Sequence, residues 1–67
     1  MIEIRLNGER RQVGDDSTLA ALVESLGQSP AALATAVNGD FVPRTQRWDC
    51  RLRDGDVVTT FQPITGG

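Results

Sequence analysis

Three kinds of residue in this 67-residue chain could do chemistry: the pair Gly66-Gly67 that closes "FQPITGG", the single cysteine Cys50, and the arginines. Glycine lacks a Cβ and loses the most backbone freedom on ordering, so a Gly-Gly end packs poorly and makes a good arm. Such a tail is either a frayed end or a reactive one, and the rest of the chain must decide which. Cys50 alone forms no internal disulfide, and with no His in the chain a Cys/His zinc site is excluded. The lack of His also removes the Ser-His and Cys-His pairs of nucleophilic catalysis. Neither GxGxxG nor GxxxxGK[ST] occurs to cradle a phosphate. The chain therefore holds no recognisable active site of its own. A lone cysteine is more often a small packing residue than a redox or sulfur-accepting one, and Cys50 is read that way.

Charge narrows the partners. Nine acidic and seven basic residues leave a net charge of −2. All the basic residues are arginines (Arg5, Arg10, Arg11, Arg44, Arg47, Arg51 and Arg53), and none of the like-charged blocks exceeds two residues. That is no nucleic-acid footprint. Arg44, Arg47, Arg51 and Arg53 could form a basic face for an acidic partner, although scattered surface charge is the commoner arrangement. "MIEIRLNGER" alternates apolar with charged residues, unlike the continuous apolar region of a signal peptide, and no apolar run approaches a transmembrane length. The expectation is a soluble, cytoplasmic protein that meets neither nucleic acid nor membrane.

The elements that must carry the tail are legible in the periodicity. In "IEIRL", Ile2, Ile4 and Leu6 share one face, a half-buried strand. Asn7-Gly8 is a two-residue hairpin signal, because a type I′ turn needs positive φ at both central positions, and "ERRQV" returns. Leu19, Leu22, Val23 and Leu26 then fall at helical spacing, with Ser17 or Thr18 to cap, Asp15 and Asp16 near the positive end of the dipole, and Gly27 to stop the helix. Ala34 to Val37, a second Asn-Gly turn at Asn38-Gly39 and a short strand before Pro43 follow; proline cannot donate to a ladder, so that strand should be short or at an edge. Trp48 and Leu52 are the expected core anchors of the turn-rich "TQRWDCRLRDGD", where Asp54-Gly55 turns into "VVTTF". The first and last strands are the expected central neighbours. The order ββ-α-ββ-β makes an α+β fold, a mixed sheet of about five strands wrapped on one helix.

This order resembles the ubiquitin-like β-grasp fold. "AVNGDFVPR", a Trp four residues after that Arg, "LRDGD" and the terminal "ITGG" together resemble the ThiS family of sulfur carriers in thiamine-thiazole biosynthesis, across essentially the whole chain. The related MoaD family, small subunits of molybdopterin synthase, shares the fold and the terminal Gly-Gly. The resemblance implies a domain over residues 1–61 and a flexible arm over 62–67. It implies a carrier that is not itself an enzyme and binds no cofactor. A ThiF-like enzyme consumes ATP to adenylate the carboxylate of Gly67, and sulfur from a donor such as a cysteine desulfurase then converts it to a thiocarboxylate. A thiazole synthase (ThiG-like) receives the sulfur. Ile64, Thr65 and Gly66 would enter the partner's channel with Gly67, and residues past Gly67 would turn the reactive carboxylate into an amide. Extended, Gln62 to Gly67 spans about 20 Å.

One helix cannot bury both faces of the sheet. On the last strand Val57, Thr59 and Phe61 share one face and Val58, Thr60 and Gln62 the other, so an apolar patch beside the tail should remain exposed as a docking surface. Phe61, Val57 and Thr59 are the candidate interface residues. The competing readings are a MoaD-like subunit or a carrier for another metabolite, a ubiquitin-like protein modifier, and a β-grasp binding module with an inert tail.

Overall fold

Two Asn-Gly pairs turn the chain as their composition demands. Asn7 (φ 52°) with Gly8 (φ 86°), and Asn38 (φ 53°) with Gly39 (φ 85°), hold positive φ at both central positions. This is the geometry that matches the twist of the flanking strands. In the computed structural model, which describes residues 1–27 and 29–62, these turns join β1 (Ile2–Leu6) to β2 (Glu9–Val13) and β3 (Ala34–Val37) to β4 (Asp40–Val42). Helix α1 (Leu19–Ser25) lies between the hairpins, a 3₁₀ turn covers Pro30–Ala32, a longer 3₁₀ segment covers Arg44–Asp49, and β5 (Val57–Phe61) closes the sheet.

The strand order is β2-β1-β5-β3-β4. β5 runs parallel to β1, with Arg5 opposite Val57 and Leu6 opposite Val58, and antiparallel to β3 from Val37–Val58 to Ala34–Phe61. The expected central pair is therefore present, and the three-residue β4, followed by Pro43, lies at an edge. The arrangement is the β-grasp.

Thr18, not Ser17, caps α1: its Oγ1 accepts from the Ala21 amide at 3.2 Å. Gly27 takes the left-handed conformation (φ 75°) just past the helix. Leu19, Leu22 and Val23 are buried against Ile4, Leu6, Leu33, Leu52 and Val58, with Leu26 packed at the margin. Asp15 and Asp16 do not serve the helix dipole, since no acidic residue lies in its first turn. Asp15 instead holds the Met1 amino group at 2.8 Å, and that hydrogen bond, helped by the carboxylate's charge, pushes the amine above its usual range. A pKa raised by folding stabilises below the unfolded value, about 8, and the contribution is lost as pH rises through the folded value. The thermal midpoint of the parent protein is therefore expected to fall slightly as pH rises above about 8, and Asp15→Asn to flatten that fall.

Trp48 is not a core anchor. It is 59% exposed, whereas its neighbour Arg47 is only 3% exposed. The Arg47 Nε donates to the Thr35 hydroxyl at 3.1 Å and Nη2 donates to the Leu33 carbonyl, while the Thr35 hydroxyl donates on to the Val42 carbonyl at 3.0 Å. The fully buried Thr35 and the guanidinium thus satisfy each other and tie the 3₁₀ segment to β3 and β4. Burial pushes the Arg47 pKa down, and the charge of Arg44 adds to this. Arg47 is accordingly not part of an exposed basic face; Arg44, Arg51 and Arg53 are exposed. Leu52 is a core anchor as expected, 1% exposed.

Candidate functional site

The site is built on β5, the strand that leads into the tail. Its start is seated by the "DGD" turn: Asp54 Oδ1 accepts from the Glu3 amide at 2.9 Å, the Gly55 amide donates to the Glu3 carbonyl at 2.8 Å, and Asp56 Oδ2 accepts from the Arg53 amide at 2.8 Å. Glycine is required at position 55 because its φ is 88°. From there β5 runs through the centre of the sheet to Phe61, and Gln62 follows, exposed and outside the strand. The tail residues named from the sequence (Ile64, Thr65, Gly66 and Gly67), and so most of the expected arm, lie outside the described residues.

Alternation along β5 resolves its two faces. Val58 is fully buried beneath α1, so Val57, Thr59 and Phe61 point to the side of the sheet away from the helix. Val57 and Phe61 are 44% and 47% exposed. The register adds neighbours: Ala36 lies opposite Thr59 and Ala34 opposite Phe61 on β3, and Phe41 lies opposite Ala36 on β4. Phe41 is 63% exposed and was not among the sequence candidates. In "DFV" either Phe41 or Val42 could have faced the core. The signal that decides is the pairing of Val42 with the buried Thr35, which turns Phe41 outward.

Charge borders this apolar face. Arg5, opposite Val57, is also directly opposite Arg10 on β2. Like charges directly opposite each other destabilise a strand pair. Among the described residues neither guanidinium has an ion-pair or hydrogen-bond partner.

Cys50 is half-buried and packs against the core. Burial, with the Asp56 carboxylate adding, pushes its thiol pKa up, which disfavours the reactive thiolate. Among the described residues no group of His, Cys, Asp and Glu could hold a metal ion, and no helix is long and apolar enough to cross a membrane.

Comparison with known proteins agrees with this geometry. The profile of the ThiS family matches residues 4–67. The sulfur carrier protein ThiS of Escherichia coli (strain K12) is 36% identical over 66 residues, covering 98% of this chain and 100% of that protein. The crystal structure of the thiamine biosynthesis protein (ThiS) from Geobacter metallireducens superposes with a TM-score of 0.84 at 22% identity, covering 98% of this chain and 100% of the other. SAMP1 from Haloferax volcanii gives a TM-score of 0.62 at 21% identity, with 98% of each chain covered. These two structures establish the fold. Matched from its first strand through Gly67, the chain belongs to the ThiS family of sulfur carriers.

Proposed function

We propose that Gly67 is the sulfur-carrying residue of a carrier for thiamine-thiazole formation. The observation that supports this most is the course of β5, which delivers the tail from the edge of an exposed apolar face with uncompensated arginines beside it. A carboxylate is a poor electrophile, because its oxygen leaves badly and its charge repels nucleophiles. A ThiF-like enzyme transfers AMP from ATP to the Gly67 carboxylate and releases pyrophosphate. Sulfide adds to the acyl carbon and displaces AMP, leaving a thiocarboxylate; a persulfide donor gives an acyl disulfide instead, whose S–S bond a thiol then reduces to release the same thiocarboxylate. Its sulfur passes to a ThiG-like synthase, so this chain acts as co-substrate and its partners supply the catalytic groups. Gly67 and Gly66 lead into a channel that also admits ATP and add no side chains to it, and Thr65 and Ile64 follow behind them.

The outer face docks the activating enzyme. Phe61→Asp and Phe41→Asp are each expected to raise the KM for the carrier about tenfold or more, the cost of losing an apolar anchor. Arg5→Glu with Arg10→Glu should also raise KM and abolish its dependence on salt, since charge at a rim acts mainly on encounter. Unchanged KM in both sets would remove this face from the interface.

The pathway is tested by complementation. In a strain lacking its own thiamine sulfur carrier, this chain should restore growth without thiamine. In a strain lacking the small subunit of molybdopterin synthase it should not restore molybdenum-enzyme activity. The reverse pattern would reassign it to molybdopterin, and higher-mass conjugates in the cell would mark a protein modifier.

A further inference from the structure

β3 accompanies β5 as far as Phe61, but β1 stops at Leu6, opposite Val58. The last backbone donor on that side is the Asn7 amide, which reaches the Val58 carbonyl at 2.9 Å. The next amide on the same edge belongs to Thr60, and the chain has by then turned away at Asn7-Gly8. The Asn7 side chain fills the place: Oδ1 accepts from the Thr60 amide at 2.9 Å, and Nδ2 donates to the Thr60 hydroxyl at 2.9 Å. The second turn does the same at the other end of the strand. Asn38 Oδ1 accepts from the Val57 amide at 2.9 Å, and Nδ2 donates to Asp56 Oδ1 at 3.0 Å. Type I′ geometry accounts for Asn, Asp or Gly at each position. It does not account for a carboxamide that commits both its oxygen and its nitrogen to β5, so Asn38-Gly39 is more than the turn chemistry expected of it.

The two clamps are not equivalent. Val57 lies at the start of β5 with a strand on either side: Arg5 is its partner on β1, and the Asn38 amide donates to its carbonyl at 2.7 Å. Thr60 is paired with Thr35 on β3, but on the side of β1 its amide has Asn7 alone among the described residues, and it stands two residues before Gln62.

We propose that Asn7 is a positioning residue for the carboxyl-terminal arm: its carboxamide takes over where β1 ends and fixes the last turn of the ladder, so the arm leaves the sheet at one place beside the docking face. The role rests on the reading of Gly67 as the loaded residue. Without the clamp the end of β5 opens on one side, and its ordering is deferred to docking. The loss then falls on apparent affinity and leaves the rate in the bound complex largely unchanged.

Asn7→Gly and Asn38→Gly test this as a pair, because glycine keeps the positive φ of each turn and removes only the carboxamide. Both should lower the thermal midpoint to a similar extent. Only Asn7→Gly should speed amide exchange at Thr60 selectively, by about tenfold, and raise the KM for loading by about the same factor with kcat little changed. Asn7→Asp, which keeps an acceptor for the Thr60 amide, should recover part of both. If Asn7→Gly does not fold, Thr60→Val removes the hydroxyl half of the clamp and should raise KM by a smaller factor. Equal KM values in the two glycine variants, or Thr60 exchange no faster than elsewhere, would overturn the role. A parent protein that is never loaded would overturn the Gly67 reading and this role together, whereas a loaded parent with equal variants overturns this role alone.

Discussion

Deleting Gly67 is expected to abolish sulfur loading while leaving the fold intact. The deletion retracts the carboxylate by one residue, about 3.5 Å. Misplacement of a reacting group by even 1 Å can cost about a hundredfold, so a loss of at least that size is expected, below detection in most assays. Adding one alanine after Gly67 should be equally damaging for a different reason, since the acyl carbon of Gly67 is then an amide and the new carboxylate is displaced past the nucleotide. Neither change touches the core residues Ile4, Leu19, Val23, Leu52 and Val58. The thermal midpoint should therefore move by no more than a surface substitution moves it, within about 0.5 kcal/mol. Loss of loading with an unchanged melting curve separates a reactive end from a structural one.

Arg47→Ala is expected to be the most destabilising change in the 3₁₀ segment, and Trp48→Ala close to neutral. Removing the guanidinium leaves the Leu33 carbonyl without that donor and strips the Thr35 hydroxyl of one bond. Hydrogen bonds to a charged group are worth roughly 1.5–3 kcal/mol each, and the aliphatic stem adds packing, so a cost of about 3 kcal/mol is expected. A 67-residue domain has roughly 3–10 kcal/mol in total. At about 4–8 °C per kcal/mol the midpoint should fall by about 12–24 °C. Arg47→Met keeps the stem and loses the donors, and should fall between the two. Trp48, largely solvent-exposed, should cost no more than about 0.5 kcal/mol. If Trp48→Ala proved the worse substitution, the orientation of this segment would be wrong.

That contrast shows where sequence reasoning runs out. The helix and both hairpins were legible because each rests on a local signal: an apolar stripe at Leu19, Leu22, Val23 and Leu26, or Asn-Gly at a position needing positive φ. The central place of β5 followed from β-rich first and last strands and from one helix covering one face of the sheet. "RTQRWD" holds one large apolar residue, and hydrophobicity alone pointed it inward. What decides the matter is non-local. The Leu33 carbonyl and the Thr35 hydroxyl sit under the segment and need a donor that indole cannot bring to both. Phe41 was hidden for a related reason, since a three-residue strand shows too little alternation to reveal its inner face. The second function of Asn7 depends on β1 ending beside Val58, a relation between residues 53 positions apart that no turn rule contains. The tail itself was legible only through its type and place, because its reactivity lies in the partner that receives it.

The most direct measurement is the intact mass of this protein after incubation with ATP, a sulfide source and a matched ThiF-like enzyme shown to be active on its own carrier. The expected result is a mass gain equal to one oxygen replaced by sulfur, dependent on ATP and absent when Gly67 is deleted. An unshifted mass with that active enzyme would contradict the account and leave "FQPITGG" as an ordinary tail on a β-grasp binding module.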